Sequence, residues 1–220
     1  MPKRLLRELG LESMPAGVLW DMDGTIIDTE PEWLAASIAI VEEHGGIWHH
    51  DKDPQRVLGV SSEDHAKALA DAVRRGGEEA DAWELFDQVV THIEKHIRAG
   101  VPLIPGAGEL LDFFQENAVP QALVTASPRN LVQALVDGIP HHPFTTFVSG
   151  SDDIPGKPNP APYLLGADRL GVDIAQCLAF EDSMTGLAAA RGSGATVHSV
   201  TERPLTTLLE YLPGSGNEAR

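Results

Sequence analysis

Five short apolar runs, at 17–22, 120–125, 144–148, 176–180 and 195–200, constrain this chain more than any other feature. Runs this short, bounded by turn residues, read as strands buried on both faces, the kind that build parallel sheets. Parallel neighbours need a long crossover. Patterns of helical period fill the gaps between the later runs, at 106–117, 128–138, 160–170 and 183–192. This alternation predicts an α/β fold, a Rossmann-like doubly wound parallel sheet with helices on both faces. In such sheets ligands bind beyond the carboxyl ends of the strands.

The alternation breaks once. Residues 31–102 show no strand pattern but offer helices at 32–44, 61–75 and 78–98, punctuated by Gly45-Gly46 and Gly76-Gly77. The expected organisation is therefore an α/β core of 1–30 and 103–220 with an inserted all-helical domain at 31–102. Its hinges are expected at 29–31 and 100–105. The last residues, 213–220, are Pro-Gly-Ser-Gly-Asn-Glu-Ala-Arg, a composition expected to be disordered.

Charge narrows the partners. Lys plus Arg number 16 and Asp plus Glu 33, a formal net charge of −17. Such a surface repels nucleic-acid backbones and anionic membranes, so neither is an expected partner; a monomer is expected. An anionic substrate would need a local positive charge, which a divalent cation held by carboxylates supplies. Cys177 is the only cysteine, so no intrachain disulfide forms. Residues 1–11 read as a short amphipathic helix without the apolar centre of a signal peptide, and no run approaches a membrane span. A cytoplasmic protein is expected.

The first apolar run ends in Asp21-Met22-Asp23-Gly24-Thr25. Residues i and i+2 of a strand share a side, so both carboxylates are expected to face one site. Gly24 lets the backbone turn sharply after them. One carboxylate can bind a metal and attack phosphorus. The other can give a proton to the leaving oxygen and take one from the incoming water or alcohol. Asp-x-Asp-Gly is equally an ordinary turn after a strand, so the remainder of the chain has to decide.

The segment Val18-Leu19-Trp20-Asp21-Met22-Asp23-Gly24-Thr25 resembles the first motif of the haloacid dehalogenase superfamily, and Ile26-Ile27-Asp28-Thr29-Glu30-Pro31 resembles its lead into a four-helix cap. Three further motifs follow in order. Leu123-Val124-Thr125-Ala126-Ser127 resembles the second, which implies phosphate binding by Thr125 and Ser127; Ser127 before Pro128 also reads as a helix N-cap. Gly156-Lys157-Pro158-Asn159-Pro160 resembles the third, which implies that Lys157 holds the nucleophile and the phosphoryl oxygens. Phe180-Glu181-Asp182-Ser183 resembles the fourth. The implied Mg²⁺ site uses Asp21, the Asp23 backbone carbonyl and Asp182, with Glu181 in a secondary role.

The resemblance implies a phosphatase acting on a small phosphorylated metabolite, a sugar phosphate, through an aspartyl-phosphate on Asp21, with Asp23 as the second catalytic acid. The loop Gln55-Arg56-Val57-Leu58-Gly59-Val60-Ser61 resembles the cap loop of the β-phosphoglucomutase-like branch, where it reaches substrate. Arg56 is thus a candidate substrate contact or a surface arginine. The mutases of that branch carry a histidine where this chain has Trp33 and a lysine where it has Leu58, which favours a phosphatase over a sugar phosphomutase. A non-catalytic binding protein on the same fold would not need the full set of acids with Lys157. Trp83 and Phe86, at helical spacing, are expected in the core of the helical domain, while Glu78, Glu79, Asp81 and Glu84 are expected on a solvated helix face. His92 and His96 lie four apart without a third ligand, so no zinc site is expected there.

Overall fold

In the computed structural model, which describes residues 3–139 and 142–213, five strands form one parallel sheet. They are Gly17–Trp20 (β1), Gln121–Val124 (β2), Thr146–Val148 (β3), Cys177–Glu181 (β4) and Thr196–Ser199 (β5). Their order is β3-β2-β1-β4-β5, with Trp20 beside Leu123 on one side and Phe180 on the other. The chain winds outward from β1 in one direction and then from β4 in the other. The crevice between the ends of β1 and β4 is the topological switch point, where such sheets bind ligands.

Every residue of β1, β2 and β4 is buried, as the apolar runs predict for a sheet covered on both faces. On one face Trp20 stacks on Phe180, centroids 4.1 Å apart, and donates its indole N–H to Gln121 Oε1 at 2.9 Å. On the other, Leu19, Val124, Tyr163 and Ala179 pack with Ala189 and Ala190. The covering helices include Ala107–Glu116 (α6), Arg129–Gly138 (α7), Ala161–Leu170 (α8) and Met184–Ser193 (α9). Each forms where the sequence predicts one. A helix at Lys3–Glu8 (α1) packs against a 3₁₀ turn at Leu205–Tyr211 that the periodicity did not announce. The expected disorder at 213–220 falls, from 214 on, outside the described residues.

Between β1 and β2 lie Glu30–Glu43 (α2), Pro54–Val57 (α3), Ser62–Arg75 (α4) and Ala82–Gly100 (α5). They bury Val41, Leu69, Val73, Leu85, Val89 and Ile93 among themselves. The segment leaves and rejoins the core at one place: Ile27 bridges Leu103, and Ile104 N donates to Ile26 O at 2.7 Å. It also rests on the core, with α5 packed along α7 and Asn130 Nδ2 donating to Glu94 Oε2 at 2.7 Å.

Two sequence expectations in this segment need correction. The helix expected from 78 starts at Ala82, because Asp81 caps it by accepting from the Trp83 and Glu84 amides at 2.9 and 3.0 Å. Asp81 is thus a cap rather than a residue of the helix, and it is exposed, as are Glu78, Glu79 and Glu84. Trp83 is 51% exposed and no part of the core, whereas Phe86 is buried. Among the described residues no helix is long and apolar enough to cross a membrane.

Candidate active site

Asp21 follows β1 directly, and its N–H still pairs with Phe180 O at 3.0 Å, so its side chain enters the switch-point crevice. The backbone then turns on the Met22 carbonyl, which accepts from Ile26 N at 2.9 Å and Ile27 N at 3.1 Å. Gly24 sits in this turn at φ +85°, and a Cβ there would lie 2.1 Å from Asp182 Oδ2. A glycine is equally required at position 186, where a Cβ would lie 1.5 Å from Glu181 Oε1. Missing side chains at these two positions make room for two of the acids.

Lys157 joins the acids. Its ammonium donates to Asp21 Oδ1 at 2.7 Å and to Glu181 Oε1 at 2.6 Å, and it lies 5.2 Å from the Tyr163 ring centroid. Glu181 is wholly buried and commits its second oxygen to Ser183, accepting from the amide at 2.7 Å and the hydroxyl at 3.1 Å. Asp23 is held elsewhere: Oδ2 accepts from Ser127 Oγ at 2.7 Å and Thr125 Oγ1 at 3.4 Å, and Oδ1 accepts from Thr29.

The electrostatics follow from burial and crowding. Burial raises the Asp21 pKa well above the usual carboxylate range; Lys157 opposes this, and Glu181, Asp182 and Asp23 add to it. Asp182 is pushed up to about 6 by burial and then by Glu181. Burial disfavours the charged Lys157, but Asp21 and Glu181 overcome it and hold the ammonium well above its ordinary pKa. One carboxylate oxygen from each of Asp21, Glu181 and Asp182 lies within 4.8 Å of the other two. One ammonium against this many carboxylates leaves negative charge in surplus. Hard oxygen donors gathered around such a surplus fit Mg²⁺, with Asp21 and Asp182 the open donors and Glu181 already engaged.

A cavity of about 550 Å³ opens over the crevice. Asp21, Asp23, Thr125, Ser127, Lys157 and Asp182 line its core side, and Trp33, Leu58, Ser61, His65 and Phe86 line it from the helical segment.

The sequence model of the haloacid dehalogenase-like hydrolases matches residues 15–194. The chain belongs to this family. The phosphorylated carbohydrates phosphatase of Thermotoga maritima is 31% identical over 192 residues, 84% of this chain and 87% of that one. Hexitol phosphatase A of Escherichia coli is 31% identical over 191 residues, 84% of this chain and 82% of that one. Among solved structures, a putative β-phosphoglucomutase from Thermotoga maritima superposes with a TM-score of 0.66 at 26% identity, over 83% of this chain and 84% of that one.

In this haloacid dehalogenase-like hydrolase, seven of the eight candidate side chains converge: Asp21, Asp23, Thr125, Ser127, Lys157, Glu181 and Asp182. Arg56 does not join them. Its guanidinium pairs with Asp71 at 2.6 Å and reaches toward Asp53 at 3.9 Å, and it lies outside the cavity lining. The packing of α3 along α4 brings Asp71, fifteen residues on, closer to the guanidinium than Asp53 at the start of its own helix. Ser127 is not a helix cap either. The helix starts at Arg129, whose amide is capped by Ser151 Oγ at 3.1 Å, leaving the Ser127 hydroxyl for Asp23.

Two site residues escaped the sequence reading. Asp152 receives Ser149 N at 2.8 Å, Arg169 at 2.7 Å and Arg129 at 3.1 Å, tying the loop after β3 to α7 and α8. His65 lies on the apolar stripe of α4 with Leu69 and Ala72, and a polar residue on such a stripe was the available signal. Its Nε2 is 2.9 Å from Ser37 Oγ, and its ring packs against both Trp33 and Phe86, which also stack on each other. Burial lowers its pKa from 6.5 to about 4. The folded imidazole is therefore neutral where the unfolded one is charged, so the unfolded state binds more protons between these values. Stability falls as pH drops through that window, by about 3 kcal/mol at its foot. Urea unfolding from pH 7 to 4.5 should show a flatter pH dependence for His65→Gln than for the parent; equal slopes would contradict a buried neutral His65.

Proposed function

We propose that this hydrolase is a Mg²⁺-dependent phosphatase, acting as a cytoplasmic monomer, that cleaves the phosphate ester of a small metabolite, a sugar phosphate. The observation that carries this reading is the pairing of Asp21 with Lys157 at the β1/β4 crevice, beneath a cavity that Asp23 also lines. The names of the two phosphatase relatives support it. Asp21 attacks phosphorus in line and the bond to the leaving oxygen breaks, giving an aspartyl-phosphate. Asp23, oriented by Thr29 and Ser127, gives its proton to that oxygen and then takes one from the water that cleaves the intermediate. Lys157 and the Thr125 hydroxyl hold the phosphoryl oxygens. Mg²⁺ bound by Asp21, Asp182 and the Asp23 carbonyl supplies charge that offsets the repulsion between phosphate and carboxylates.

Residues 31–102 act in this reading as a cap that excludes bulk water and chooses the leaving group. Water is the acceptor because Trp33 and Leu58, both cavity-lining, stand where the related mutases carry histidine and lysine. A panel of phosphorylated sugars incubated with Mg²⁺ should yield free phosphate, with no isomer accumulating, and chelation should abolish release. Isomer formation without phosphate, or full activity under chelation, would reject the reading.

A further inference from the structure

The two sides of the cavity differ in charge. Lys157 is the only cation among the described residues that line it, and it is bonded to Asp21 and Glu181. Three arginines are occupied elsewhere, Arg56 by Asp71 and both Arg129 and Arg169 by Asp152. The helical side presents Glu30 and Asp64 together with the apolar Trp33, Leu58 and Phe86. A second phosphate or a carboxylate on a substrate would meet acids there without a counter-charge.

His65 is a neutral polar group on that side, beside Ser61 and Ser62. The Ser37 hydroxyl donates its proton to Trp33 O at 2.7 Å, so its oxygen accepts from His65 Nε2–H at 2.9 Å. This bond sets the tautomer, and it leaves Nδ1 as a hydrogen-bond acceptor with no hydrogen-bond partner among the described residues. Burial against two aromatic rings keeps the imidazole neutral, with its pKa lowered to about 4. A neutral acceptor wants an O–H donor, and the flanking rings suit the carbon face of a polyol.

We propose that the helical side of the cavity selects the monophosphate of an uncharged, hydroxyl-rich compound, a polyol or sugar, by accepting a hydrogen bond from a substrate hydroxyl at His65 Nδ1, and rejects substrates with a second anionic group. The inference rests on the phosphatase reading above. The test compares kcat/KM for hexitol monophosphates, a sugar bisphosphate, 2-phosphoglycolate and p-nitrophenyl phosphate. The hexitol monophosphates should exceed both doubly anionic substrates by at least about 100-fold. In His65→Leu the preference for hexitol monophosphate over p-nitrophenyl phosphate should fall by about tenfold. His65→Gln keeps a donor for Ser37 and an acceptor for substrate, so it should retain most of that preference. A bisphosphate cleaved as well as the monophosphates, or a preference that survives His65→Leu, would overturn the inference. Should His65→Leu fail to fold, the parent's substrate ranking decides alone. Failure to release phosphate from any monophosphate would remove the phosphatase reading and this inference with it.

Discussion

Asp21→Asn should lower phosphate release by at least ~10⁴-fold while leaving the fold intact, because the variant keeps the shape of the side chain and loses its nucleophile. The structure makes the second half of this expectation unusual for a buried site. One oxygen of Asp21 lies within 4.8 Å of one each from Glu181 and Asp182, and burial with this crowding raises the Asp21 pKa. A carboxylate whose folded pKa is raised costs stability once the pH passes its unfolded value, and the neutral amide removes that cost. The melting temperature of the metal-free variant should therefore equal or exceed that of the parent, with activity gone and no phosphorylated protein trapped after brief exposure to substrate. Retained turnover would dismiss Asp21 as nucleophile. Lost activity with a collapsed melting transition would make Asp21 a structural residue.

Lys157→Met is the contrasting case, since it should damage stability and activity together. The ammonium satisfies Asp21 at 2.7 Å and Glu181 at 2.6 Å, and the side chains on both ends of these pairs are less than a tenth exposed. Removing one partner leaves uncompensated buried carboxylates, which costs about 3–5 kcal/mol. A methionine fills the space of the stem but offers nothing to either oxygen. Urea unfolding at neutral pH should show that loss, and phosphate release should fall by at least about 100-fold as the phosphoryl oxygens lose their cation. Lys157→Arg would not rescue fully, because a planar fork does not fit two single oxygens arranged around a point charge. Unchanged stability in Lys157→Met would mean that Glu181 and Asp21 are satisfied without it.

The two variants separate what the crevice needs from what the fold needs. In the proposed reading Asp21 serves the chemistry at a cost to stability, and Lys157 offsets part of that cost. Such trade-offs concentrate at functional sites.

The acids and the lysine were legible in the chain because each sits at a place that local rules mark. Asp21, Thr125 and Glu181-Asp182 end apolar runs, and Lys157 lies between a glycine and prolines. A strand end in a doubly wound sheet is a binding position whatever the remainder of the chain does. Other residues were illegible for an equally physical reason: their roles are contacts across the sequence. Ser127 reads locally as a cap, but its hydroxyl bonds Asp23, 104 residues away. Arg56 reads as a loop arginine free to meet a ligand, until folding lays α3 along α4 and brings Asp71 to 2.6 Å. Trp83 has the spacing of a core residue, and the packing of α5 leaves it in solvent.

The amino-acid sequence alone determined the alternation of strands and helices, the helical insertion after the first strand and the identity of the acids, because period and turn chemistry act over a few residues. Only the tertiary structure decided which hydroxyls face Asp23, that Lys157 bridges two carboxylates, and that His65 lines the cavity beside Trp33 and Phe86. Those are pairings between elements far apart in the chain. Their distances are set by how helices settle on the sheet and on one another, which no local pattern encodes.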